Sequence, residues 1–187
     1  MKKLQFALLL TAAVLTVAVS GCVLTPHENH TTRNYDLAML MADKKQDLFR
    51  VSVFENNTPS RNRMLYRQKN NQIVQDEYNR WVQTPERLLQ RYFELAFPVS
   101  ESADVDALGT LRCTITAFEF DWERSEAVLA LNYFLRSGSG KQSSGSLIFR
   151  EKAAEHTPGG FAGAMSRAAN AAVEKIAQAA RKLAQNN

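Results

Sequence analysis

Apolar residues fall along this chain in three patterns, and each predicts a different element. The first is a solid run over residues 6–19, made almost wholly of Leu, Ala, Val and Thr behind Lys2 and Lys3. It is short of the roughly 20 residues that a bilayer span needs. With its basic start and small closing residues it reads as an export signal. The second pattern is alternation. Tyr35, Leu37 and Met39 share one face, and so do Phe49, Val51 and Val53, with Asp43, Lys44, Lys45 and Gln46 as a polar turn between them; both stretches predict strands. Residues 64–66 and 73–78 flank Asn70 and Asn71, which predicts a hairpin around the Asn pair. Leu111, Cys113, Ile115 and Ala117 alternate with polar residues, and Leu129, Leu131, Tyr133 and Leu135 repeat the pattern, predicting two strands joined at residues 121–125.

The third pattern is helical spacing. Leu88, Leu89, Tyr92, Phe93, Leu95 and Ala96 predict a helix over residues 85–97. Thr84 stands at the cap, Pro85 at the first helical position and Glu86 at the positive end of the dipole, while Pro98 stops the run. Phe161, Met165, Ala168, Ala172, Ile176, Ala179 and Leu183 mark one face of a long Ala-rich helix that starts at Pro158, Gly159 and Gly160. Residues 100–108 read as an acidic loop. The Ser/Gly-rich residues 137–145 read as a flexible connection into a strand at about residues 146–151. Strands, helix, strands, helix is the order of an α+β (mixed α/β) fold, one sheet with two main helices packed on it in a single domain.

The end of the apolar run changes where that domain works. Val19, Ser20, Gly21 and Cys22 form a lipobox-like sequence, in which the cysteine thiol receives a diacylglyceryl group and becomes residue one. Residues 1–21 are then a lipoprotein signal peptide, residues 22–34 a lipidated N-terminus and polar tether, and residues 35–187 the working domain, expected in the periplasm. Two or more acyl chains hold a protein stably to a membrane. Val23 follows the cysteine where Asp would favour retention at the inner membrane, so an outer-membrane anchor is expected. The tether beyond Cys22 reaches at most about 40 Å when fully extended.

Charge and candidate chemistry narrow the function by exclusion. The formal charge of +4 falls to +2 once Lys2 and Lys3 are removed, too little to imply nucleic acid. Cys113, the other cysteine, lies in an apolar alternating run and reads as a small core residue. His27 and His30 are three apart where a metalloprotease helix needs four, and His156 has no sequence-local ligand companions. Gly140 and Lys141 lack the rest of a phosphate loop, and the stretch at Asp104 and Asp106 lacks the oxygen ligands of a calcium loop. No serine sits in a nucleophile elbow. The expectation is a protein that is not an enzyme and needs no metal or cofactor.

What remains is a span rich in Arg and aromatic residues. Arg63, Arg67, Arg80, Trp81 and Arg91 are the candidate partner-binding residues, since Arg, Tyr and Trp are common interface anchors. The plainer reading makes them solvated faces of a hairpin and a helix, with Trp81 in the core.

Tyr78, Asn79, Arg80 and Trp81, then Thr84 and Pro85 entering a helix with Leu88 and Leu89, resemble the ABC-type transport auxiliary lipoproteins, the PqiC-like family. Cys22, the Tyr35 to Leu37 stretch, the segment from Leu65 to Arg67 and the Ala164, Met165, Ser166 opening of the last helix are similar to the same family's pattern. Residues 54–59 are less apolar than the family's stretch before the hairpin. The resemblance implies a non-catalytic auxiliary component of a lipid transport system. Its expected partners are an MCE-type periplasmic protein and ABC or integral membrane components, and a homo-oligomer is compatible with it. The alternative is an envelope lipoprotein that binds and regulates a peptidoglycan synthase, and a hydrolase stands behind both.

Overall fold

The structure, a computed structural model, describes residues 31–40, 48–104 and 108–185. Cys22, the signal segment, most of the tether and the polar turn at residues 43–46 lie outside the described residues. Residues Thr32–Asn187 make one compact unit.

Among the described residues seven strands form a single mixed sheet and two helices pack on one of its faces, an α+β fold. The strands are β1 (Arg33–Tyr35), β2 (Arg50–Asn56), β3 (Arg63–Arg67), β4 (Ile73–Trp81), β5 (Thr110–Asp121), β6 (Glu126–Arg136) and β7 (Gln142–Lys152). The helices are α1 (Pro85–Ala96), against β2, and α2 (Pro158–Gln185), against β6 and β7. Along the sheet the order is β1, β4, β3, β5, β6, β7, and β2 runs parallel to the first half of β5. β3 joins the other half through Tyr66 opposite Phe120 and Arg67 opposite Asp121. The long strand β5 therefore carries the whole sheet: β6 occupies one edge, and β2 and β3 share the other.

Where the pattern was strong, the elements stand where it puts them. The helix at Pro85 ends at Ala96, one residue short of the expectation. Its N-cap differs in detail: the Thr84 hydroxyl makes no bond to the helix backbone and is turned to the Glu86 carboxylate instead. The Asn pair turns the β3–β4 hairpin, with φ of 59° at Asn70 and 61° at Asn71, in the left-handed region that Asn tolerates better than most residues. α2 buries Phe161, Met165, Ala168, Ala172 and Ile176 as its spacing requires. Cys113 is buried, and burial pushes its thiol pKa well up, as suits a core residue.

Three strand expectations need correction. The first strand covers Arg33–Tyr35, because its backbone pairs in parallel with β4. Leu37 is buried and Met39 exposed, but their segment runs along the helices: Ala38 N–H donates to Ser166 Oγ (3.0 Å) and Leu40 N–H to the Tyr92 hydroxyl (3.4 Å). In β2 a register shift between Val51 and Phe54 breaks the alternation, so Phe54 enters the core while Val53 is exposed. The last strand begins at Gln142, not near residue 146, because β7 pairs with β6 without a break from Arg136 opposite Gln142 to Glu126 opposite Lys152. The true connection is a turn at Ser137–Lys141, closed by Ser137 N–H to the Lys141 carbonyl.

The core has two aromatic centres. Phe161 of α2 meets Phe120 (4.9 Å), Trp81 (5.5 Å) and Tyr66 (6.1 Å), while Phe49, Phe54, Phe93 and Phe97 pack around α1. The Tyr66 hydroxyl leaves the first centre to donate to Asp76 Oδ2 at 2.9 Å. Burial alone would raise the Asp76 pKa. Hydrogen bonds from the Asn79 and Tyr78 N–H groups, the Asn79 side chain and Tyr66 outweigh it and hold the carboxyl below the usual range. A depressed carboxyl contributes stability that is complete above its unfolded value of about 3.9 and is lost as pH falls through the folded one. Asp76→Asn is expected to cost about 1 to 2 kcal/mol at pH 7. In urea titrations the difference from the parent should shrink between about pH 4 and pH 2, below the ordinary carboxylate value.

Candidate partner-docking surface

The arginines that lie together in sequence separate into two classes in space. Arg67, at the end of β3, grips Glu119 of β5 with two of its nitrogens: Nε to Oε1 at 2.5 Å and Nη2 to Oε2 at 2.9 Å. Such two-pronged pairs are strong and geometrically specific, and this one fastens the β3–β4 hairpin to the central strand. The hydrogen bond to Glu119 raises the pKa of Arg67 further. Arg91, on α1, pairs with Asp36, whose carboxylate also accepts from the Leu37 N–H. It ties the helix to the segment after β1.

Arg63 and Arg80 have no such partner. They stand directly opposite each other in the antiparallel register of β3 and β4, and Asn34 of β1 takes the next place in the row. Cross-strand neighbours have Cβ atoms about 4.5–5.5 Å apart, and like charges so placed repel. Among the described residues no ion pair involves either one, and Arg80 Nε is buried without a hydrogen-bond partner. Strand alternation puts Arg80 on the face away from the helices, because its neighbour Trp81 points into the core. Trp81 is 1% exposed and offers a partner no surface of its own. Its role is to hold the end of β4: its N–H donates to the Asn62 carbonyl at 2.7 Å.

Two features beside this row were not visible in the sequence. Val82, just past β4, is 45% exposed, so the arginines have an apolar flank. The loop at residues 57–61, together with Thr84 and Glu86, lines a cleft of about 580 Å³ that carries Arg61. Within it Thr58 Oγ1 and Glu86 Oε2 are buried and unbonded. No local pattern signals this cleft, because it forms only when the loop folds against the start of α1. The surface can make charge-assisted contacts to carboxylates on a partner. Among the described residues no three of His, Cys, Asp and Glu converge as a metal site, and no helix is long and apolar enough to cross a membrane. His156 lies against Trp122 (4.0 Å), with Nδ1 3.0 Å from the Ser125 hydroxyl.

Two solved structures are similar in fold. One, described only as an uncharacterized protein, superposes with a TM-score of 0.64 at 16% identity over 81% of this chain and 98% of its own. The other is XCC0632 from Xanthomonas campestris, of the family DUF330, with a TM-score of 0.60 at 16% identity over 86% of this chain and 92% of its own. Comparison with the sequences of curated proteins gives no match. The family model for the ABC-type transport auxiliary lipoprotein component matches residues 58–177, from the loop before the arginine row to the last turns of α2. This chain belongs to the family of ABC-type transport auxiliary lipoprotein components.

Proposed function

We propose that this protein is a periplasmic lipoprotein, anchored through Cys22 in the outer membrane, that serves as a non-catalytic auxiliary of an ABC/MCE-type lipid transport system. Residues 1–21 are the signal that is removed, residues 22–34 the lipidated tether, and residues 35–187 the domain that docks. The observation that carries the reading is the Arg63–Arg80 pair: two cationic residues directly opposite each other in the strand register, with no ion-pair partner among the described residues, in a chain of this family. Folding alone gives no reason to hold them so, whereas an acidic surface on an MCE-type component would turn their repulsion into affinity. Arg67 and Arg91 are engaged within the domain, each in an ion pair of its own.

The test is crosslinking in intact cells from probes at positions 63 and 80, with probes at 67 and 91 for comparison. An MCE-type protein should be recovered, chiefly from the first two positions. The Arg63→Glu, Arg80→Glu double variant should lose at least tenfold in its capture, about 1.4 kcal/mol, with an unchanged melting temperature. The interaction should also weaken with salt, as contacts between exposed charges do. Recovery of a peptidoglycan synthase instead would replace the transport reading with the regulatory one.

A further inference from the structure

Two clefts meet at the end of the sheet where β5 begins. The first, of about 250 Å³, lies on the helix side against the last turns of α2, and buried Phe49, Leu135 and Ala180 line it with half-buried Leu48 and Leu183. Ser137, Gly138 and Ala184 complete its lining with little bulk, which leaves the space open. The second, of about 240 Å³, is lined by Arg50, Thr110 and Arg136. Thr110 and Arg136 alternate with buried Leu111 and Leu135, so this cleft lies on the face away from the helices. Leu108, Gly109, Arg136, Ser137 and Gly138 line both clefts, which therefore form one continuous recess around the sheet end. Together they come within the size range of small-molecule sites, about 300–1,000 Å³.

The chemistry changes along this recess. Arg50 and Arg136 both stand opposite Thr110, one on each side of it. Two strand spacings, about 10 Å, separate their Cα atoms, so both guanidinium groups can reach a single anion placed over Thr110. Among the described residues neither has an ion-pair partner, whereas Arg112, two positions along the same face of β5, pairs with Glu55 at 3.9 Å. Two uncompensated cations at one end and an apolar cleft at the other match a molecule that is itself charged at one end and apolar at the other. We propose that the recess binds a single-chain anionic amphiphile: the acyl chain lies in the cleft between Leu135 and the last turns of α2, and the head group, a carboxylate or a phosphate, lies between Arg50 and Arg136. A cleft of this volume has room for one acyl chain and not for two. The inference goes beyond docking, since it makes the domain a holder of lipid. No residue of β3 or β4 lines the recess, so it is tested apart from the arginine row at Arg63 and Arg80.

The test uses the full-length lipoprotein in phosphatidylcholine nanodiscs, irradiated with palmitate that carries a diazirine near its methyl end. Mass spectrometry should find the label on peptides bearing Phe49, Leu135 or Leu183. Oleate and lysophosphatidylglycerol should compete for it, and success of only one of them would identify the head group as carboxylate or phosphate. Monoolein, which has the chain of oleate without its charge, should need at least tenfold more, and inorganic phosphate should not compete. The Arg50→Gln, Arg136→Gln double variant should bind the anionic ligands at least tenfold more weakly, with monoolein unchanged. Ala184→Phe, at an exposed position of the tail cleft, should lower labelling by every ligand. Both variants should keep the melting temperature of the parent. Four results overturn the proposal: label spread evenly over the surface, monoolein competing as well as oleate, phosphate alone competing, or a double variant that labels like the parent.

Discussion

Trp81→Ala is expected to lower the stability of the domain by about 3 to 5 kcal/mol, the range for deleting a large buried aromatic side chain. The melting temperature should fall by about 10 °C. Trp81 is 1% exposed and sits edge-on to Phe118 (5.1 Å) and Phe161 (5.5 Å), so the void would open where sheet and last helix meet. The residue also closes β4, pairing with Tyr35 of β1 and bonding the Asn62 carbonyl, so three chain segments depend on its position. Trp81→Phe should cost less than half as much. It keeps a ring in the cluster, and the indole N–H it removes has no hydrogen-bond partner among the described residues. Chemical unfolding followed by circular dichroism measures both. A loss under 1 kcal/mol for the alanine variant would mean that the cluster collapses to fill the space.

The parts of this fold that the sequence made legible are those whose reason is local. Pro85 behind Thr84 starts a helix whatever surrounds it, the Asn pair turns a hairpin by its own tolerance for positive φ, and the apolar face of α2 is written in its spacing. The parts that were not legible are set by pairing at a distance. Leu37 and Met39 alternate like strand residues, yet the backbone donors beside them go to Ser166 and Tyr92, one of them 128 positions away. Gln142, Ser143 and Ser144 have the composition of a loop, and only the unbroken ladder with β6 makes them strand. Gly145 belongs there because Tyr133 lies over it, an added Cβ meeting the ring at 2.9 Å.

The candidate site divides along the same line. That Arg63, Arg67, Arg80 and Arg91 belong to one region is visible from their spacing in the chain. Which of them are free to meet a partner is not, since that depends on where Glu119 and Asp36 lie. Glu119 belongs to a strand fifty residues on, and it shares a face of the sheet with Arg67 only because a register shift between Ile115 and Ala117 re-phases β5. Residues Phe118 to Asp121 are all buried, the two aromatic ones on the core side and the two acidic ones on the other. The same shift thus supplies Phe118 and Phe120 to the core and the carboxylate that engages Arg67. Arg63 and Arg80 keep their charge for the outside.

Gly159 and Gly160 open α2 side by side, and alanine at each is expected to act with opposite sign. Neither has a positive φ, so conformational freedom is not what holds glycine there. At Gly160 the reason is close approach: a Cβ would overlap the Glu155 carbonyl oxygen and lie 2.9 Å from its carbonyl carbon and 3.1 Å from its nitrogen. All three are backbone atoms, so the strand-to-helix connection or the helix itself must move. The Gly160 N–H bonds the Thr157 hydroxyl at 3.1 Å, the cap of the helix, and the next residue is fully buried Phe161. Overpacking costs about 1 to 3 kcal/mol, and Gly160→Ala should fall at the top of that range because no flexible side chain can yield. At Gly159 the nearest atoms to a Cβ are 3.9 Å away, an ordinary contact. Gly159→Ala should stabilise by about 0.5 to 1 kcal/mol, the difference in helical preference between the two residues. Thermal unfolding of the two variants beside the parent decides it. If Gly160→Ala melted with or above the parent, the entry to α2 would be more yielding than its contacts imply, and Phe161 would not be held by the backbone that precedes it.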